Sequence, residues 1–220
     1  IFLLYQLPLW YMIQAIESMV ESMKHNYYDS TILYYNRNAA EFCDNTVNAN
    51  ITQIQDLFLS KLEKNSYILD FGCGSGRDTK YFLELGFHVD AVDGSEELCR
   101  LAEKYTGIEV KQMYFQELSE IDKYDGIWAC SSILHLPHNE LTDVLKKMTK
   151  ALKQGGVIYT SFKYGTFEGI KDGRYFTYMT KKSFDIFIQE FKELTIEEEW
   201  ITADARPGDE KWLNLILRKS

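Results

Sequence analysis

Residues 68–79, ILDFGCGSGRDT, set Gly72, Gly74 and Gly76 at alternate positions, where an apolar strand runs straight into a helical pattern opening at Arg77. Glycine has no Cβ, so the chain can turn sharply and a ligand can approach its backbone closely. A helix starting behind such a loop offers free N–H groups and a positive dipole end to an anionic group. A second chemical feature follows about 20 residues after the first glycine, where Asp93 ends the short strand FHVDAVD. A carboxylate at that place can accept both ribose hydroxyls of an adenosine ligand.

These residues need a sheet to hold them. Residues 51–63 carry Ile51, Ile54, Leu57, Phe58 and Leu62 at helical spacing, which predicts a one-faced helix. A strand at 67–71, a helix at 77–85 closed by Gly86 and a strand at 87–93 follow. Ser95 caps a helix over 96–104, with Glu96 and Glu97 in its first turn. Strands are expected at 108–115, 124–131 and 157–162, the last two separated by an amphipathic helix over 139–152 that Gly155 and Gly156 end. Strands alternating with helices predict a mostly parallel sheet with helices on both faces. The end of the chain differs. A glycine-containing loop over 163–179 leads to a helix near 181–191 started by Thr180, then to strands at 194–202 and 211–219 with no helix between them. Those two must pair antiparallel. The run WLNLIL is too apolar for an exposed edge, so 211–218 is expected between two neighbours.

Composition narrows the partners. The chain has 220 residues, 45% hydrophobic and 15% aromatic, with a formal net charge of −9. That suits one soluble domain with a real core. No basic stripe stands out, so nucleic acid, DNA included, is not an expected partner. The acidic balance suits a neutral or cationic small substrate. Cys43, Cys73, Cys99 and Cys130 are scattered without metal-ligand spacing, so they read as reduced thiols of a cytoplasmic protein and no metal site is expected. Cys73 is the small side chain that a glycine loop needs rather than a nucleophile. The apolar opening, IFLLYQLPLWYMIQAI, is interrupted by Gln6, Pro8 and Gln14. It is shorter than the roughly 20 residues of a membrane span and lacks a signal-peptide cleavage pattern. Residues 1–22 therefore read as an extension outside the domain, which occupies 23–220, and no membrane partner is expected.

NAD and S-adenosylmethionine both fit the loop and the acid. The spacing here is Gly-x-Gly-x-Gly with Asp70 two residues upstream, whereas the dinucleotide fingerprint is Gly-x-Gly-x-x-Gly. In order and interval, ILDFGCGSGRDT, VDAVDGSEELCRLA, YDGIWACSSILHLP and LKQGGVIYTSF resemble class I S-adenosylmethionine-dependent methyltransferases over about residues 30–218. The likeness is to the small stand-alone bacterial type, with a tellurite-resistance-like flavour. The resemblance implies a Rossmann-like seven-stranded sheet whose final strand is antiparallel. It also implies S-adenosyl-L-methionine as cofactor and methyl transfer to a small-molecule acceptor by a monomer or weak dimer. A non-catalytic S-adenosylmethionine-binding sensor or partner subunit is the alternative.

By the same resemblance, Asp70, Gly72, Cys73, Gly74 and Gly76 surround the amino-acid end of the cofactor. Asp93, Gly94 and Ser95 lie at its ribose, and Met113 and Phe115 are candidates at the adenine, where Tyr114 stands in place of a commonly found acid. Cys130 and Ser131, ending the fourth strand, lie near the reacting sulfonium. The segment YYNRNAAEF resembles a cofactor-covering element, with Tyr34 and Arg37 as acceptor-site candidates. Arg174, Tyr175 and Arg206 are further acceptor candidates. His135 is the candidate general base, because imidazole titrates near neutrality. Arg77 opposes the dipole at a helix start, so a specific carboxylate partner is expected for it.

Overall fold

The computed structural model describes residues 9–206 and 208–220. Residues 1–8 of the expected extension, and Pro207, lie outside the described residues. The first element, α1 (Leu9–Thr46), kinks at Asn38 and runs through the boundary expected at residue 22. At the kink the Asn38 side-chain amide donates to the Tyr34 carbonyl at 2.7 Å, a side-chain bond that competes with the helical ladder.

There follow α2 (Thr52–Leu59), β1 (Tyr67–Phe71), α3 (Arg77–Glu84), β2 (His88–Asp93), α4 (Glu96–Thr106), β3 (Val110–Gln112), β4 (Tyr124–Ala129), α5 (His138–Ala151) and β5 (Leu152–Lys163). The chain then forms β6 (Glu168–Lys171), β7 (Arg174–Thr177), α6 (Lys181–Ile188), β8 (Leu194–Ala203) and β9 (Lys211–Lys219). The seven-stranded sheet has the order β3-β2-β1-β4-β5-β9-β8. Neighbours from β3 to β5 run parallel, and β9 is antiparallel to both β5 and β8. β9 therefore lies inside the sheet, as its apolar run requires.

Burial on both faces explains that run. Leu213, Leu215 and Leu217 join the core beneath α5 and α6, with Leu141, Val144, Phe184 and Phe187. Ile216 points to the opposite core with Phe58, Phe82, Trp128 and Tyr159. The one polar residue in the run, Asn214, is buried and accepts the Tyr159 hydroxyl at 2.8 Å.

Three expected elements differ. The strand expected over 108–115 is only β3, because the Glu117 carboxylate takes the Tyr114 N–H at 2.7 Å and turns the chain into a 3-10 helix, Phe115–Glu117. The helix expected to end at Gly155 and Gly156 stops at Ala151, and both glycines lie within β5. The loop expected over 163–179 contains the hairpin β6–β7, whose turn holds Asp172 and Gly173 at φ 51° and 77°. Two left-handed residues are what a tight hairpin turn asks for, and Asp-Gly is its sequence signal.

Candidate active site

The strand order reverses between β1 and β4, since β2 and β3 lie to one side of β1 and β5 to the other. Ligands of open α/β sheets bind at the carboxyl ends of the strands at such a point. A cavity of about 690 Å³ opens there, lined by the loop after β1, the ends of β2 and β4, α1, the hairpin β6–β7 and the β8–β9 loop. That size holds a nucleoside cofactor and a small second molecule.

The glycine loop forms its floor. Gly72, Gly74 and Gly76 have φ of 88°, 56° and 78°, a region that side chains rarely adopt. A Cβ on Gly72 would stand 2.5 Å from the Ser132 Cβ, and one on Gly76 would meet the Thr106 methyl at 2.7 Å. The first glycine thus lets the loop touch the end of β4, and the third lets α3 close on α4. Ser132 completes the junction by donating to the Phe71 carbonyl at 2.6 Å.

Asp93 is buried, and each carboxylate oxygen has one backbone donor: Gly74 N–H at 3.0 Å on one and Ser95 N–H at 2.8 Å on the other. Burial raises its pKa, while the backbone donors pull the other way. The carboxylate keeps lone pairs free, an acceptor set that suits the two hydroxyls of a vicinal diol. This carboxylate and the glycine cradle fit the adenosine cofactor expected from the sequence.

Gly72, Cys73, Gly74, Asp93, Gly94, Met113, Phe115, Cys130 and Ser131 all line the cavity. Asp70, Gly76 and Ser95 do not; they stand behind it. Asp70 is buried, accepts the Thr79 hydroxyl at 2.5 Å and is pushed up to about 8 by burial and then by the nearby Asp78 charge. Ser95 caps α4 and donates to Asn36 of α1 at 2.7 Å. Burial, with Asp70 next, raises the Cys73 thiol, and burial with Asp78 pushes Cys130 up to about 11. Neither thiol is an activated nucleophile. Ser131 is left-handed, at φ 53°, and its N–H donates to Ser161 at 2.9 Å. Arg77 finds its carboxylate in Asp78, at 2.7 and 2.8 Å. Asp78 also accepts from Gln55 and Trp128, tying α2, α3 and β4 together.

The roof is α1. Ile32 packs where a Gly94 side chain would be and Phe42 where a Gly74 side chain would be. Thr31, Ile32, Tyr35, Phe42 and Thr46 face the cavity, a spacing that belongs to one helical face. Two candidates need correction on this ground. Arg37 falls on the opposite face and is exposed. Tyr34 is absent from the lining and lies under Arg174, 4.2 Å from the guanidinium carbon to its ring centre. Tyr35, which the sequence reading passed over, is the tyrosine that reaches the cavity.

Strand alternation corrects Tyr175 in the same way. Arg174 and Phe176 line the cavity, whereas the Tyr175 hydroxyl turns out to Glu168 at 3.0 Å. Its backbone still matters, because the Tyr175 carbonyl lies 2.6 Å from His135 Nδ1. A carbonyl only accepts, so Nδ1 carries the proton. Nε2 is then the acceptor for the Tyr35 hydroxyl at 2.8 Å. Burial first, with Arg174 and Lys163 adding to it, lowers His135 to about 4, against the opposing carbonyl bond. His135 is neutral near pH 7 with both nitrogens engaged, which leaves no free position for the direct base role expected of it. Arg206 lines the mouth and also pairs with Asp204 at 2.8 Å.

The comparisons agree with this architecture. Residues 68–156 match a family model described as a methyltransferase domain. Over these residues the chain carries a methyltransferase domain. N-terminal Xaa-Pro-Lys N-methyltransferase 1 of Xenopus tropicalis is 40% identical over 102 residues, 43% of this chain and 46% of that protein. A solved 1,6-didemethyltoxoflavin-N1-methyltransferase of Burkholderia thailandensis, with bound 1,6-didemethyltoxoflavin and S-adenosylhomocysteine, matches with a TM-score of 0.68 at 19% identity. That match covers 94% of this chain and 89% of the other. The N-methyltransferase NodS of Bradyrhizobium japonicum, in complex with S-adenosylhomocysteine, matches with a TM-score of 0.66 at 18% identity, over 84% and 97% of the two chains. The chain spans between 29% and 58% of the length of the curated relatives it matches. The tellurite-resistance flavour finds no support in these matches. The methyltransferase family model stops short of α1, the hairpin β6–β7 and the β8–β9 loop, so the elements around the far side of the cavity lie outside it.

Proposed function

We propose that this chain binds S-adenosyl-L-methionine and transfers its methyl group to a small-molecule acceptor. The observation that carries the reading is one continuous cavity. It joins the free lone pairs of Asp93, the glycine loop and the end of β4 to a roofed chamber bounded by Tyr35, His135, Arg174 and Phe176.

When bound, the cofactor supplies an electrophilic methyl group and a neutral leaving group. Asp93 would hold the ribose, Gly72 and Gly74 would let the amino-acid end lie against the backbone, and Met113 and Phe115 would enclose the base. The protein's contribution is placement and exclusion of water. α1 covers the site through Ile32 and Phe42, while the hairpin is fastened to α1 where the Tyr175 N–H donates to Thr31 at 3.0 Å. A base is needed only if the acceptor holds a proton at neutral pH. His135 positions the Tyr35 hydroxyl, which also neighbours the Arg174 guanidinium; an O–H that donates to His135 can still accept.

The frog relative is named for methylation at protein N termini, and its 40% identity favours a protein acceptor as the second reading. One assay separates the two. The purified chain is incubated with S-adenosylmethionine and either a low-molecular-weight metabolite extract or peptides beginning Xaa-Pro-Lys, and S-adenosylhomocysteine is measured. Release with the extract supports the proposal, and release with peptides alone overturns its acceptor class. Tight binding of S-adenosylhomocysteine with no turnover on either would make the chain a sensor or partner subunit.

A further inference from the structure

Among the described residues, the cations around the cavity are paired locally, with one exception. Arg77 pairs with Asp78, Arg206 with Asp204 and Lys163 with Glu210. Asp93 has its two backbone donors. Arg174 lines the cavity from β7 and has no carboxylate within ion-pair distance among the described residues. Its Nε is buried and donates to no acceptor. What surrounds the guanidinium is aromatic: the ring centres of Tyr34, Phe176 and Tyr35 lie 4.2, 5.1 and 5.9 Å from its carbon.

A buried N–H with no acceptor is costly, and so is a cation without a counter-charge. Cation–π contacts stabilise the charge but leave Nε without an acceptor. We infer that Arg174 is the anion-recognition residue of the acceptor site and that the acceptor carries a carboxylate beside an aromatic or other planar apolar body. The planar fork of a guanidinium matches a carboxylate edge-on. A single unpaired positive charge balances a carboxylate rather than a phosphate dianion. Phe176 and Tyr35, which line the same part of the cavity, receive the apolar body. A cationic acceptor, including a peptide N terminus followed by lysine, would meet this charge with repulsion.

This inference rests on the proposed methyltransferase reading, and its test keeps the two apart. Benzoate and benzamide are the probes, their binding followed by ligand-observed NMR in wild-type protein with and without saturating S-adenosylhomocysteine. S-Adenosylhomocysteine affinity is measured separately by calorimetry. The expected result is benzoate binding at least tenfold tighter than benzamide. Arg174→Gln should abolish that preference with S-adenosylhomocysteine affinity within about twofold of wild type, and Arg174→Lys should restore part of it. Equal binding of the two probes to wild-type protein overturns the inference and requires no variant to fold. So does loss of S-adenosylhomocysteine affinity in a folded Arg174→Gln protein, which would assign the guanidinium to the cofactor carboxylate. Failure of wild-type protein to bind S-adenosylhomocysteine would overturn the methyltransferase reading instead, and the probe comparison without it would still decide the anion site.

Discussion

Replacing Asp93 by alanine tests the cofactor half of the site, and the structure predicts two separable losses. The carboxylate accepts Gly74 N–H at 3.0 Å and Ser95 N–H at 2.8 Å. Without it, two buried donors lose their acceptor, at about 1–3 kcal/mol each. Removing a buried carboxylate whose pKa burial has raised offsets part of that cost. A net loss of about 2 kcal/mol would lower the melting temperature by roughly 4–8 °C for a chain of this size. The second loss is in binding. Hydrogen bonds to a charged acceptor contribute about 1.5–3 kcal/mol, so the dissociation constant for S-adenosylhomocysteine should rise by roughly ten- to over a hundredfold. Asp93→Asn keeps one acceptor oxygen and should fall between. Ser95→Ala is the control: it removes the α4 cap and the Asn36 contact, costs about 1 kcal/mol of stability and should leave affinity within about threefold. The assays are calorimetry with S-adenosylhomocysteine and thermal denaturation. An Asp93→Ala protein that melts lower but binds within twofold of wild type would refute the ribose role and leave Asp93 a loop anchor alone.

Three further outcomes are expected. Gly72→Ala combines a left-handed φ with a Cβ 2.5 Å from Ser132, so the loop must separate from the end of β4; melting temperature and S-adenosylhomocysteine affinity should both fall, and an unchanged pair would contradict the cradle. His135 is lowered to about 4 in the folded chain against about 6.5 unfolded. Between those values the unfolded chain binds the extra proton, so this contribution is present above about pH 6.5 and is lost as pH falls toward 4, by roughly 2 kcal/mol at pH 5. Urea denaturation at several pH values should show that slope in wild type and its loss in His135→Asn. Deleting residues 1–22 should leave S-adenosylhomocysteine affinity within about twofold, because among the described residues those of α1 that face the cavity begin at Thr31; a large loss measured by calorimetry would place the first part of α1 within the functional domain.

The cofactor half was legible because local chemistry dictates it. Three alternate glycines at a strand-to-helix junction, an acid at the end of the next strand and a capping serine announce backbone needs that few other residues meet; Gly72, Gly74 and Asp93 line the cavity and Ser95 caps α4, while Gly76 and Ser95 stand behind the cavity. The acceptor half was less legible because its residues are brought in by periodicity and pairing. Tyr34, Tyr35 and Arg37 are near neighbours in sequence, and only the phase of α1 over the sheet decides which of them faces inward. Arg174 and Tyr175 are separated by the alternation of a hairpin strand that had been read as loop, although Asp172-Gly173 carried the turn signal. His135 was placed at the correct end of the sheet. That the Tyr175 carbonyl and the Tyr35 hydroxyl occupy its two nitrogens depends on contacts across 40 and 100 residues of chain, which no local pattern encodes.

The net charge and the proposed anion site point in opposite directions for a related reason. A formal charge of −9 suggests a neutral or cationic acceptor, but net charge acts at long range and is screened within about 8–10 Å at ordinary ionic strength. Inside a roofed cavity the relevant quantity is the charge left after local pairing. The cavity's cations outside Arg174 are each paired with an acid at 2.5–2.8 Å, and the Asp93 carboxylate is bonded to backbone. What remains on the acceptor side is a guanidinium held among aromatic rings, in surroundings where a counter-ion is worth far more than in water. An anion is therefore favoured within a protein whose exterior repels it, and its capture should strengthen with added salt to the extent that screening lifts the exterior repulsion and spares the buried pair. Benzoate association measured across an ionic-strength series should rise or hold level; a steep fall would mean that the probe is held by exposed cations rather than by Arg174.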